Sequence, residues 1–222
     1  DVYKRQGREY PKNPSMFQYW LKATGKKRTA AYVISSKDKL ALLTNCKNKK
    51  WRDKFRPYSD CGVNGFQTGY RSDLETYDKS IEILKKDKPN LVLINFRQPD
   101  SWGHAGNWKR YLDGIKKSDE FIYNVFRYIQ LDEQYKDKTT IFVTNDHGRH
   151  LDDRKDGFIS HGDNCEGCRM INCFAYGPDF KRGVITDVSR ELIDIPATIG
   201  ELLGFEIEKS DGEVMKELFI KC

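Results

Sequence analysis

The chain has 222 residues, of which 38% are hydrophobic and 13% aromatic: enough apolar material for a core, and too much for a disordered tail. Mean hydropathy is −0.75, and no apolar run approaches the roughly 18 residues of a spanning helix, so no transmembrane segment is expected. Lys and Arg number 39 against 33 Asp and Glu, a net charge of +6, which favours anionic partners. The basic residues lie in short scattered runs such as Lys47-Asn48-Lys49-Lys50. With no basic stripe interleaved with aromatics, they read as solvated surface and no nucleic-acid partner is expected.

Six cysteines are too sparse for a disulfide-built scaffold. Asp1 to Gln6 carry neither an apolar signal region nor an initiator Met, so the chain reads as a piece that begins inside something larger, with any targeting signal upstream.

Asn13-Pro14-Ser15 predicts a helix start, with Met16, Phe17, Trp20 and Leu21 at helical spacing until Gly25, and Ser15 as its cap. Arg28 to Ser36 reads as a short buried strand and Lys37 to Thr44 as a short helix or turn. Residues 45–72 hold three glycines and several aromatics but no sustained period, and read as a loop excursion from the core. Asp73 is expected to cap a helix whose inner face carries Leu74, Tyr77, Ile81 and Leu84, and Leu91 to Phe96 is a fully buried strand. A long helix from Asn107 to about Gln130 should turn Tyr111, Ile115, Ser118, Ile122, Val125 and Ile129 inward. Strands follow at Thr139 to Thr144 and Met170 to Tyr176, then a helix from Ile193 to Leu203 with Pro196 in its first turn and Gly204 at its end. This alternation predicts a single α/β domain over 1–222, a mostly parallel sheet with helices on both faces, whose chemistry lies beyond the carboxyl ends of the strands.

At those ends stand Asp100-Ser101-Trp102-Gly103-His104 and Asn145-Asp146-His147-Gly148. The chain has four histidines: His104, His147 and His150 lie in or beside these clusters, and His161 lies in Ser160-His161-Gly162-Asp163. Carboxylate oxygen with neutral imidazole suits Zn²⁺ and related ions, whereas an oxygen-only set would suit Ca²⁺ or Mg²⁺. Gly103 and Gly148 would permit the tight turns that aim neighbouring side chains at one point. An Asp-His pair at a strand end can equally cap a helix or satisfy a turn. Cys165-Glu166-Gly167-Cys168 has the spacing of half a zinc ribbon, but with no second such pair it reads as a disulfide or two free thiols. His150 and Arg149 read as loop residues, with Arg149 available to an anionic substrate.

Taken together and in this order, the motifs resemble the alkaline phosphatase superfamily over most of residues 10–215, including Leu192 to Gly204, which is similar to the helix that follows the catalytic core in that family. The resemblance implies that Asp100, His104 and His161 bind a first metal and that Asp146 and His147 bind a second, both divalent and with zinc favoured. It also implies an N-terminal strand with another metal-binding carboxylate and a nucleophile, both expected upstream of Asp1. The implied activity is hydrolysis of phosphate mono- or diesters by in-line displacement on an anionic ester substrate. A sulfatase with a single Ca²⁺ is the rival, a phosphomutase a smaller one, and a catalytically incomplete relative binding an anionic ligand the non-enzymatic alternative. Relatives with such motifs are often exported; the sequence leaves compartment and oligomeric state open.

Overall fold

The computed structural model describes residues 9–154 and 156–220; Asp1 to Gln6 lie outside them. The chain divides into two compact units, Asp1–Arg97 with Pro196–Asp211 and Gln98–Ile195 with Gly212–Cys222.

The first unit opens with helix α1, Met16–Thr24, which Gly25 ends in the left-handed conformation (φ 64°) that lacks a penalty only for glycine. Ser15 stands at its N-cap and its carbonyl accepts from the N–H groups of Gln18 and Tyr19, but its hydroxyl makes no capping bond and is buried without a hydrogen-bond partner. Strand β1, Ala31–Ser35, is buried along its whole length. It lies between two parallel neighbours, β2 (Tyr58–Cys61) and β3 (Leu91–Asn95), and such pairing requires crossovers that carry helices over the sheet. Alternation along β1 builds two cores. Ala31 and Val33 pack with Phe17, Trp20 and Leu21 of α1 and with Phe205, while Tyr32 and Ile34 pack with Ile83, Val92 and Ile94. The fold class is therefore α/β, a parallel sheet with helices on both faces.

The structure differs from expectation in three places in this unit. Residues 45–72 are not wholly a loop, because Tyr58–Cys61 is the edge strand β2; it is short, polar and mostly exposed or half-buried, so no apolar run announces it. β3 is buried fully only at Leu91, because it is the opposite edge of the sheet. Helix α2, Asp73–Lys86, is capped by Ser72, whose hydroxyl accepts from the Glu75 N–H at 3.1 Å. That leaves the Asp73 carboxylate to accept from Ser36 Oγ (2.5 Å) and the Arg97 N–H (2.8 Å). The buried stripe of α2 includes Thr76 and Ser80 while Leu74 is exposed. The cause is polar: Thr76 Oγ1 accepts from the buried Arg71 (2.9 Å) and shares a 2.8 Å bond with Ser36, and Arg71 also pairs with the Asp60 carboxylate at the end of β2.

The second unit holds α3 (Asp100–His104), α4 (Trp108–Leu131), β4 (Ile141–Thr144), α5 (Glu166–Arg169), β5 (Cys173–Tyr176) and the start of α6 (Asp194–Leu203). β4 and β5 pair antiparallel, from Ile141 opposite Tyr176 to Thr144 opposite Cys173, so among the described residues parallel pairing is confined to β1, β2 and β3. Asn107 caps α4 by accepting from the Arg110 N–H at 3.0 Å. Its buried residues are Gly114, Phe121 and Ile129, and Ile115 faces outward. A Cβ at Gly114 would lie 3.2 Å from Pro99 Cα, so the helix makes its closest approach through the glycine, which turns Ile115 away. α6 begins one residue later than expected, at Asp194, and is followed by Gly204 at φ +67°. Among the described residues no helix is long and apolar enough to cross a membrane.

Candidate metal centre

Asp100 and His104 stand at the two ends of α3, four residues apart, and such residues share one face of a helix. His104 Nε2 lies 3.3 Å from Asp100 Oδ1. His161, on the loop after the single turn Gly157–Ile159, brings its Nε2 to 3.4 Å from the same oxygen and 3.0 Å from His104 Nε2. Donors bound to zinc at about 2.0–2.1 Å in a tetrahedron are separated by about 3.3–3.4 Å. Both edges that meet at Asp100 have that size, and the His104–His161 edge needs to open by only a few tenths of an ångström, so these residues fit a divalent transition ion. Burial, reinforced by the neighbouring His147 ring, pushes the His161 imidazole down to about 4, which keeps it neutral near pH 7, as a ligand must be.

Arg149, set aside from the sequence as a loop residue, holds this arrangement together. Its side chain is 8% exposed and does not face solvent. Nη2 donates to the Asp100 carboxylate (2.5 Å) and to the Asp100 carbonyl (2.6 Å), and Nη1 donates to the carbonyls of Phe158 (2.9 Å) and Ile159 (3.0 Å). One fork thus ties the start of α3 to the turn preceding His161. Trp108 and Tyr111 of α4 pack edge-on against Phe158 of the same turn. The signal missed in the sequence was the fork itself, because an Arg beside a His motif does not show where its bonds go.

Gly103 and Gly148 are needed for close approach; neither has the positive φ of a left-handed turn. A Cβ on Gly103 would lie 2.3 Å from the Arg149 guanidinium carbon, and one on Gly148 would lie 1.9 Å from the Gly167 carbonyl oxygen. Asn145 shapes the loop that follows β4: its amide donates to the His147 carbonyl (3.0 Å), and its Oδ1 accepts from the Asn172 N–H (2.8 Å).

The structure treats the pair after β4 differently. The His147 ring stacks on His161 with centroids 3.7 Å apart, at the edge of the triangle, and its Nδ1 lies 2.8 Å from the Gly148 carbonyl, the distance of a bond donated by a protonated Nδ1. Asp146 Oδ2 is 3.6 Å from His147 Nε2, and the Asp146 side chain is 59% exposed. Asp146 and His147 are adjacent to the triangle, but among the described residues no third donor joins them in a cluster. His150 turns instead towards Asp163, at 3.4 Å.

Residues 11–207 match the model of the Metalloenzyme superfamily. Over 149 residues, 67% of this chain and 35% of the relative, the sequence is 26% identical to a phosphopentomutase of Clostridium novyi (strain NT). Over 140 residues, 61% of this chain and 25% of the relative, it is 28% identical to a 2,3-bisphosphoglycerate-independent phosphoglycerate mutase of Clostridium perfringens (strain SM101 / Type A). The chain spans about a third or less of the length of these relatives. The match runs through both units and across every residue of the donor triangle, and it implies use of a divalent metal. By that extent of agreement, and with the α/β architecture described above, the chain belongs to the Metalloenzyme superfamily, the group of alkaline phosphatase-like folds.

Proposed function

We propose that this chain supplies the metal-binding part of an enzyme that transfers the phosphoryl group of phosphate esters, with water as acceptor. The observation that carries the reading is the triangle of one carboxylate and two imidazoles with edges of 3.0, 3.3 and 3.4 Å. Two nitrogens and one oxygen favour zinc over calcium or magnesium. In this reading Asp100, His104 and His161 hold the first ion, and Asp146 with His147 contribute to a second. A divalent ion there supplies a Lewis acid that offsets the charge of a tetrahedral anion. Arg149 keeps the Asp100 carboxylate aimed at the triangle, and His161 is kept neutral by burial near neutral pH, the form in which an imidazole binds a metal. The attacking hydroxyl is assigned to none of the described residues.

Intramolecular transfer is the second reading, because the relatives named above are mutases. The experiment is to strip the whole protein of metal, reload it with zinc, and offer three substrates in parallel: an aryl phosphate, a pentose phosphate and an aryl sulfate. Zinc-dependent release of inorganic phosphate from the aryl phosphate supports hydrolysis. A rearranged sugar phosphate without free phosphate establishes a mutase, sulfate release establishes a sulfatase, and no turnover of any of the three removes the proposal.

A further inference from the structure

Four other potential ligands, side chains that the chemistry above does not use, converge in the second unit. The nitrogens of His150, a carboxylate oxygen of Asp163 and the sulfurs of Cys165 and Cys168 offer one donor atom each, all within 4.8 Å of one another. Neither cysteine is in a disulfide. Cys165 precedes the single turn α5, and its sulfur accepts from the Cys168 N–H at 3.4 Å, so that one turn points both sulfurs the same way. Asp163 Oδ1 accepts from the Cys165 N–H at 2.9 Å. His150 completes the set. Its side chain is 13% exposed, its Nε2 lies 3.4 Å from Asp163 Oδ1, and both ring nitrogens are buried without a hydrogen-bond partner. A buried imidazole with neither nitrogen satisfied is costly unless something binds it.

The backbone around the cluster is built to hold it. The Gly148 N–H donates to the Cys168 carbonyl (3.0 Å), and the His150 N–H donates to the Ser160 carbonyl (3.1 Å). A Cβ on Gly167 would lie 2.3 Å from the Arg149 carbonyl oxygen, so the two loops meet backbone to backbone and only glycine fits between them.

We propose that His150, Asp163, Cys165 and Cys168 form a closed zinc site, separate from the Asp100–His104–His161 triangle. Two thiolates, an imidazole and a carboxylate are a borderline-soft, four-donor set suited to tetrahedral Zn²⁺, and four protein ligands leave no open position for substrate, which makes the site structural. Contraction of the cluster to the roughly 3.3–3.8 Å donor spacing of such a site is modest, and binding releases the two thiol protons to water. The Cys-x-x-Cys motif looked incomplete in the sequence because its partners come from a separate loop and from a carboxylate. The site joins the loop that carries His147 to the loop that carries His161, so it staples two arms of the first centre. The proposal does not depend on which reaction that centre runs.

The test is a cobalt spectrum. Only a thiolate site gives a sulfur-to-cobalt charge-transfer band; a site of oxygen and nitrogen donors gives none. The whole protein, reduced and stripped of metal, is titrated with Co²⁺ and then with Zn²⁺. A charge-transfer band whose final intensity corresponds to one thiolate-bound cobalt per chain and which zinc erases is expected, together with its marked weakening in Cys165→Ser and its retention in His104→Ala. Asp163→Asn, which keeps both sulfurs, should weaken cobalt binding at least tenfold while keeping the band. The wild-type titration requires no variant to fold. Absence of the band in wild-type protein with titratable thiols overturns the site, as does a Cys165–Cys168 disulfide that persists when zinc is supplied under reducing conditions.

Discussion

The guanidinium of Arg149 meets the carboxylate of Asp100 at 2.5 Å, and the same guanidinium bonds to the carbonyls of Phe158 and Ile159 just ahead of His161. Removing the side chain leaves a carboxylate and three carbonyls without their donor. Breaking a mostly buried charge pair costs about 3–5 kcal/mol, and some solvent access at Asp100 brings the expectation to about 3 kcal/mol for Arg149→Met. Arg149→Lys keeps the charge but loses the fork, and should fall between. Denaturant unfolding with zinc titration is the check. The arrangement is mistaken if Arg149→Met unfolds like the parent and binds zinc as tightly.

Gly148 and Gly25 separate two reasons for glycine. Gly148 has no room for a Cβ, which would sit 1.9 Å from the Gly167 carbonyl oxygen, whereas Gly25 has open space but φ +64°. Gly148→Ala must move backbone, an overpacking cost of about 1–3 kcal/mol, and it should loosen metal binding because the shifted loops carry His147 and the thiolates. Gly25→Ala costs about 1 kcal/mol of backbone strain and should leave metal binding unchanged. Isothermal titration of zinc into both variants distinguishes the two costs.

What could be read from the sequence follows from how local each signal is. Pro14, Ser15 and Gly25 bracket α1 because signals that start and stop a helix act within one turn, although the Ser15 hydroxyl makes no capping bond, and Asp100 with His104 stood out because a short Asp-His motif just past a strand end is a local signal. β2 was not, because Tyr58–Cys61 is a short exposed edge with no apolar alternation to display. The inner face of α2 was misread for a related reason: its buried Thr76 answers to Arg71 and to Ser36, the latter distant in sequence, while the Ser80 hydroxyl donates to the Thr76 carbonyl one turn back. His150 and the cysteine pair lie on separate loops, and only the fold brings them together.

The His161 imidazole is held at about 4 in the folded chain by burial and by the His147 ring, against an ordinary 6.5. As pH falls, the unfolded chain takes up this proton first. The metal-free protein therefore keeps the whole of this contribution above pH 6.5 and loses it progressively as pH falls from 6.5 to 4. Denaturant midpoints recorded at about pH 7 and about pH 5 should show that decline, and His161→Gln, which has no titrating ring, should flatten it. An equal decline in the variant would assign the slope to other groups.

His104 and Asp146 provide the sharpest division of labour between the two proposed ions. His104 Nε2 is a corner of the triangle, 3.0 Å from His161 Nε2 and 3.3 Å from Asp100 Oδ1. Its loss leaves two donors where the first ion needs three, so His104→Ala should weaken zinc there by more than the roughly 10- to 100-fold seen when only an outer partner is disturbed. Asp146 is 59% exposed and touches the centre only through His147, at 3.6 Å, so Asp146→Ala should leave the triangle intact and cost only the second ion. Metal counted by mass spectrometry in the whole protein should then fall by one ion relative to the parent in each variant, with the tight first-site affinity surviving in Asp146→Ala alone. An unchanged count in Asp146→Ala would remove Asp146 as a metal ligand.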